Sequence, residues 1–97
     1  MKFLVQWQLH EGRLHDILSM FSKMTAEEEQ GMMGDGIKLI TRWHDLVGGS
    51  GVAIMESDSA EAISSYALAW NRFMDVDISV VVDDDTAKAI GNQLPTE

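Results

Sequence analysis

Residues 37–57 constrain the fold of this chain more than any other stretch. Ile37-Lys38-Leu39-Ile40-Thr41-Arg42-Trp43-His44-Asp45-Leu46 leads through Val47 into Gly48-Gly49-Ser50-Gly51, and Val52-Ala53-Ile54-Met55-Glu56-Ser57 follows. Two apolar, partly β-branched runs around a glycine cluster spell an antiparallel hairpin, because glycine reaches the positive φ that a tight reversal needs. The pattern predicts strands over residues 37–46 and 52–57. The same segment carries the densest set of reactive side chains in the chain.

The elements around this hairpin are read from changes of period. Phe3, Val5, Trp7 and Leu9 alternate with Lys2, Gln6 and Gln8, which predicts a strand over residues 2–9 with one apolar face. From Gly12 onward Leu14, Ile17, Leu18, Phe21 and Met24 form a single helical stripe. Residues 25–36 are acidic, hold three glycines around Met32 and Met33, and are predicted as a loop. Asp58 or Ser59 caps a second helix through Ile63, Tyr66, Ala67 and Trp70. Residues 74–82 alternate again, with Asp75, Asp77 and Ser79 on a polar face, and Asp83 to Asp85 open a short helix over about residues 84–94.

The order β-α-β-β-α-β defines an α+β chain of the ferredoxin-like split βαβ type, a four-stranded antiparallel sheet with two helices on one face and a short carboxy-terminal helix appended. Residues 1–97 are predicted to form one such domain, since a chain this short sustains one core. With helices on one face, partly apolar residues such as Leu4, Ile40, Ala53 and Met55 are expected on the other. They would stay wet unless a second copy covered them, so a homodimer through the helix-free sheet face is expected.

Composition narrows the function classes. There is no cysteine, which rules out a disulfide framework and a thiolate zinc site. The formal charge of −9, with seven scattered Lys and Arg, argues against nucleic acid as a partner of this acidic protein. No apolar run approaches the length of a membrane span or a signal-peptide core, so no membrane partner and a cytoplasmic location are expected.

Most reactive pairs fail on geometry. His10-Glu11-Gly12-Arg13-Leu14-His15 misses the H-E-x-x-H zinc pattern by one residue, and on a helix the two imidazoles would sit roughly 140° apart. No metal site is expected. Adjacent His44 and Asp45 point to opposite faces of a regular strand and cannot form a dyad. Ser50 lies in a glycine turn without a nucleophile elbow, and the turn lacks the lysine of a phosphate loop. Asp75-x-Asp77-x-Ser79 starts like a calcium loop but has Val80 where glycine is required. No cofactor is expected either.

The remaining candidates are Trp7, His10, Arg42, Trp43, His44, Asp45, Glu56 and Trp70. By strand parity Trp7 shares a face with Phe3 and Val5, and Trp43 shares one with Ile37 and Leu39, so both are expected to meet Tyr66 and Trp70 beneath the helices. There the rings either fill a tryptophan-rich core or line a ligand cavity. Arg42 and His44 are then expected at the subunit interface, with Glu56 as a partner for Arg42 if hairpin register allows. Asp45 is expected to accept N–H bonds from the glycine turn.

Three segments carry a family resemblance: Met1-Lys2-Phe3-Leu4-Val5, the block from Gly36 to Gly51 centred on Arg42-Trp43-His44-Asp45, and Tyr66-Ala67-Leu68-Ala69-Trp70. Together they resemble the DUF3303 family of small bacterial proteins, which is similar to the dimeric α+β barrel group. The resemblance implies a homodimer with facing sheets and no particular activity, because the wider group spans cofactor-free monooxygenases, isomerases and haem-associated proteins. Residues 25–36 depart from it, being acidic where a proline-containing loop is expected. Two functions remain open: a small-molecule or protein-binding module, or a cofactor-independent enzyme of monooxygenase or isomerase type with a pocket between sheet and helices.

Overall fold

In the computed structural model, which describes residues 1–95, the chain runs β1 (Lys2–Leu9), α1 (Leu14–Ser22), α2 (Ala26–Met33), β2 (Lys38–Asp45), β3 (Ser50–Glu56), α3 (Ala60–Trp70), β4 (Met74–Val81) and α4 (Asp84–Gly91). All strand pairs are antiparallel, in the spatial order β2-β3-β1-β4. This is the ferredoxin-like βαββαβ arrangement with two helices added, α2 before β2 and α4 after β4.

Register follows from β1, which is flanked on both sides. Phe3 lies opposite Met55 and Val80, Val5 opposite Ala53 and Ile78, and Trp7 opposite Gly51 and Val76. These residues share the face covered by α3, and Phe3, Val5, Ala53, Met55, Ile37 and Ile63 form the buried core. Each large apolar side chain buried there stabilises the fold by roughly 1.5–3 kcal/mol. Ala53 and Met55 therefore belong to the core, not to the helix-free face. Both parities of β3 are apolar, so its pattern could not orient it; Val52 and Ile54 take the outer positions, opposite Gln6 and Leu4.

The acidic stretch expected as a loop is a helix. Thr25 Oγ1 accepts the Glu28 N–H at 3.1 Å while a Glu28 carboxylate oxygen accepts the Thr25 N–H at 3.2 Å, a reciprocal capping box. Glu27, Glu28 and Glu29 lie in the first turn, where carboxylates meet the positive end of the helix dipole. These terms outweigh the cost of Gly31 in the helix interior, about 1 kcal/mol. Gly34, at φ 75°, ends α2 in a conformation that suits glycine. α3 starts on Ser59, whose hydroxyl accepts the Ala62 N–H, and α4 on Asp83, whose carboxylate accepts the Thr86 N–H. Gly91 closes α4 three residues short of the expected end. Among the described residues, no helix is long and apolar enough to cross a membrane.

Candidate functional site

One extra residue in β2 decides where the reactive side chains go. Leu39 lies opposite Met55 but Thr41 opposite Ile54, so Ile40 has no partner on β3 and forms a β-bulge. A one-residue insertion inverts every later side chain. Arg42 falls opposite Ala53 and His44 opposite Gly51, on the helix-covered face, while Trp43 falls opposite Val52 on the other face and is 70% exposed. The parity expectation for this block is thereby reversed: Trp43 is not core, and Arg42 and His44 do not face the helix-free side.

The helix-covered face is filled at one end and hollow at the other. Phe3, Met55, Ile37 and Ile63 close the end away from the hairpin turn. Toward the turn, a cavity of about 100 Å³ opens between the sheet, α1 and α3, and the whole depression including its mouth measures about 900 Å³. Its walls are apolar and aromatic: Trp7 from β1, Leu18 and Phe21 from α1, Tyr66 and Trp70 from α3, and Val76 from β4. Arg42, His44, Asp45 and Ser50 supply the polar margin at the hairpin. Of the eight candidates, Trp7, Arg42, His44, Asp45 and Trp70 thus converge on one cavity, whereas His10, Trp43 and Glu56 do not line it.

Trp7 owes its position to Gly51. The indole lies across the glycine on the neighbouring strand, and any Cβ at Gly51 would run into the ring. Its edge meets His44, ring centroids 5.7 Å apart at 68°, and Phe21 approaches the same imidazole at 5.3 Å. Arg42 stacks its guanidinium 4.7 Å above the Phe21 ring and donates to Glu29 Oε1 at 2.7 Å. The Arg42 and Glu29 side chains are only 19% and 25% exposed, so the pair is partly desolvated. Glu29, not Glu56, is the carboxylate that balances Arg42; Glu56 lies between Lys2 and Lys38 at the far end of the sheet.

These neighbours set the protonation of the wall. Burial, reinforced by the charge of Arg42 and opposed by Glu29, lowers the His44 pKa below 6.5, which keeps the imidazole neutral at pH 7. Burial raises the Tyr66 hydroxyl above its ordinary range, partly offset by the Trp70 indole and by Arg42. The Trp70 indole N–H, one turn beyond Tyr66, is buried beside the Tyr66 hydroxyl, short of full hydrogen-bond geometry. Asp45 accepts the Gly48 N–H at 2.8 Å and approaches the Ser50 hydroxyl at 3.5 Å, the turn-stabilising use expected of it. His10 sits outside the cavity, 3.2 Å from a carboxylate oxygen of Asp75 on the neighbouring strand. Among the described residues no three His, Asp or Glu side chains converge as metal ligands.

Glu29 and Phe21 are the functional neighbours that sequence reasoning did not single out. Phe21 was visible as part of the α1 stripe, and Thr25-x-x-Glu28 is a capping-box signature that would have turned the acidic loop into a helix presenting Glu29. No comparable signal marks the bulge.

Comparison with known proteins bears on the fold. The family model described as a domain of unknown function, DUF3303, matches residues 1–95. No curated protein matches the sequence. Among solved structures, protein Atu4242 from Agrobacterium tumefaciens is similar over 87% of this chain and 96% of its own, at 14% identity and a TM-score of 0.50. An uncharacterized NIPSNAP domain protein from Burkholderia xenovorans shares 14% identity over 87% of this chain and 97% of its own, with a TM-score of 0.47. A NIPSNAP family protein from Agrobacterium tumefaciens shares 10% over 87% and 96%, with a TM-score of 0.49. At 14% identity the likeness to Atu4242 speaks to the fold alone.

Proposed function

The chain belongs to the DUF3303 family, and from the cavity we propose that it is a binding module for a small, largely apolar molecule, acting as a homodimer that pairs through its helix-free sheet faces. The observation that carries the binding function is the unfilled space among Trp7, Phe21, Tyr66 and Trp70, in a region where a protein core is ordinarily close-packed. Thermal-shift screening against small aromatic and alicyclic compounds tests it: ligands that raise the melting temperature of the wild type and lose their effect when Trp7→Leu alters the wall support the module. Stabilisation of both proteins by the same compounds would place binding elsewhere.

The dimer is supported by the helix-free face, where Leu4, Val52, Ile54 and the exposed Trp43 lie on adjacent strands. Trp43→Asp is expected to convert a dimer to a monomer in sedimentation velocity. A wild type that is monomeric at tens of micromolar removes the dimer.

His44 favours a second function, that of a cofactor-independent enzyme. A neutral imidazole in a cavity wall is able to accept a proton from a bound molecule. The discriminating result is turnover that His44→Gln abolishes while ligand binding persists.

A further inference from the structure

If the cavity is a small-molecule site, its walls also define the class of ligand. Resting on that reading, we infer that it selects uncharged, largely apolar molecules, and that the Glu29–Arg42 ion pair is the element that turns carboxylates away.

Arg42 is the sole Lys or Arg among the residues lining the cavity. Its guanidinium is already engaged, held at 2.7 Å by Glu29 and flat over Phe21. A carboxylate ligand reaching for it has to displace Glu29. That leaves one partly buried anion unpaired beside another, and both desolvation and like-charge repulsion oppose the exchange. Asp45, at the same margin, adds negative potential while spending its oxygens on Gly48 and Ser50. A cationic ligand gains no free carboxylate there and meets Arg42 on the same wall. Glu29 cancels the charge of Arg42, and a desolvated anion entering the cavity finds no free counter-charge.

The remaining lining is apolar and aromatic, so the ligand class is a flat or compact, uncharged and largely apolar molecule.

Acetophenone and benzoate test this directly, since they share ring and shape and differ in charge. Binding is followed in ¹H–¹⁵N spectra through the Trp70 indole resonance, assigned with Trp70→Phe. Acetophenone is expected to shift that resonance and to bind at least about tenfold tighter than benzoate. Glu29→Gln, which frees the guanidinium, is expected to raise benzoate affinity about tenfold or more and leave acetophenone within about twofold. Arg42→Gln, leaving Glu29 without its cation, is expected to weaken benzoate further. Equal binding of the two probes by the wild type, or an equal gain for both in Glu29→Gln, overturns charge selection and leaves the cavity as a site. If neither probe moves any cavity resonance, the small-molecule reading falls and the selection with it.

Discussion

β1 and β2 are both eight residues long and lie in one sheet, yet only one keeps its sides. β1 runs through the interior of the sheet with ladders on both flanks, and Phe3, Val5 and Trp7 all point under the helices. β2 is an edge strand with a single ladder, and it changes face at Ile40. The difference is one of constraint. An extra residue in β1 would disrupt two ladders at once, whereas in β2 it leaves unpaired only groups that already border solvent. The irregularity is also what makes the site. Without it Arg42 and His44 would leave the cavity and Trp43 would enter it.

The largest expected effect separates an inward aromatic ring on β1 from the outward one on β2. Phe3→Ala is expected to cost about 3–5 kcal/mol in urea unfolding, through lost burial and a residual cavity. Trp43→Ala, at a position 70% exposed, is expected to cost less than about 1 kcal/mol when measured below the concentration of any self-association. Comparable losses for the two would mean that Trp43 is core and that β2 has no change of side.

This contrast also locates what the sequence could reveal. Element order was legible because the chain switches cleanly between periods of two and three to four residues, and the caps Ser59 and Asp83 were visible as residue types. Trp7 and Trp70 were placed at the helix-covered face by parity and by helical spacing. The β2 residues were misplaced because parity counts residues, and a bulge adds one without any marker: Ile40 is as β-prone as its neighbours. Glu29 was missed for a different reason, since its helix has Ala26, Met32 and Met33 as its only apolar residues and offers no stripe to read. The cavity itself depends on how far α1 and α3 stand from the sheet, a tertiary quantity that no local pattern encodes.

Next in size is the cross-strand contact that joins the regular strand to the hairpin. Gly51→Ala is expected to destabilise by about 1–3 kcal/mol, because the added methyl group collides with the Trp7 indole and the ring has to move into the cavity. Tryptophan emission should shift with it. An alanine tolerated without cost would mean that Trp7 does not lie across β3.

The Arg42–Glu29 pair ties the reversed part of β2 to α2. A double-mutant cycle with Arg42→Ala and Glu29→Ala is expected to give a coupling of about 0.5–1 kcal/mol, kept small because both groups retain contact with solvent. Coupling should fall at high salt. A cycle using Glu56 in place of Glu29 is expected to show none, since Glu56 faces away from Arg42 at the other end of the sheet. The opposite outcome would restore unbroken alternation in β2.

The smallest effect belongs to His44, and its sign depends on the side of β2 from which the ring projects. On the helix-covered face, at the margin of the cavity, partial desolvation and Arg42, opposed by Glu29, lower its pKa from 6.5, so the folded chain binds protons less readily there than the unfolded chain. The stabilisation is present in full above 6.5 and is lost as pH falls through the lowered pKa of the folded state. Unfolding measured between about pH 7.5 and pH 5.5 should show the wild type losing more stability than His44→Gln, with the difference modest because the imidazole is partly exposed. The loss should not depend on protein concentration. Were His44 on the helix-free face instead, its protonation would weaken association between copies, and the loss would grow with concentration. A concentration-dependent difference between the two proteins would therefore contradict the inward placement of His44, and with it the bulge at Ile40.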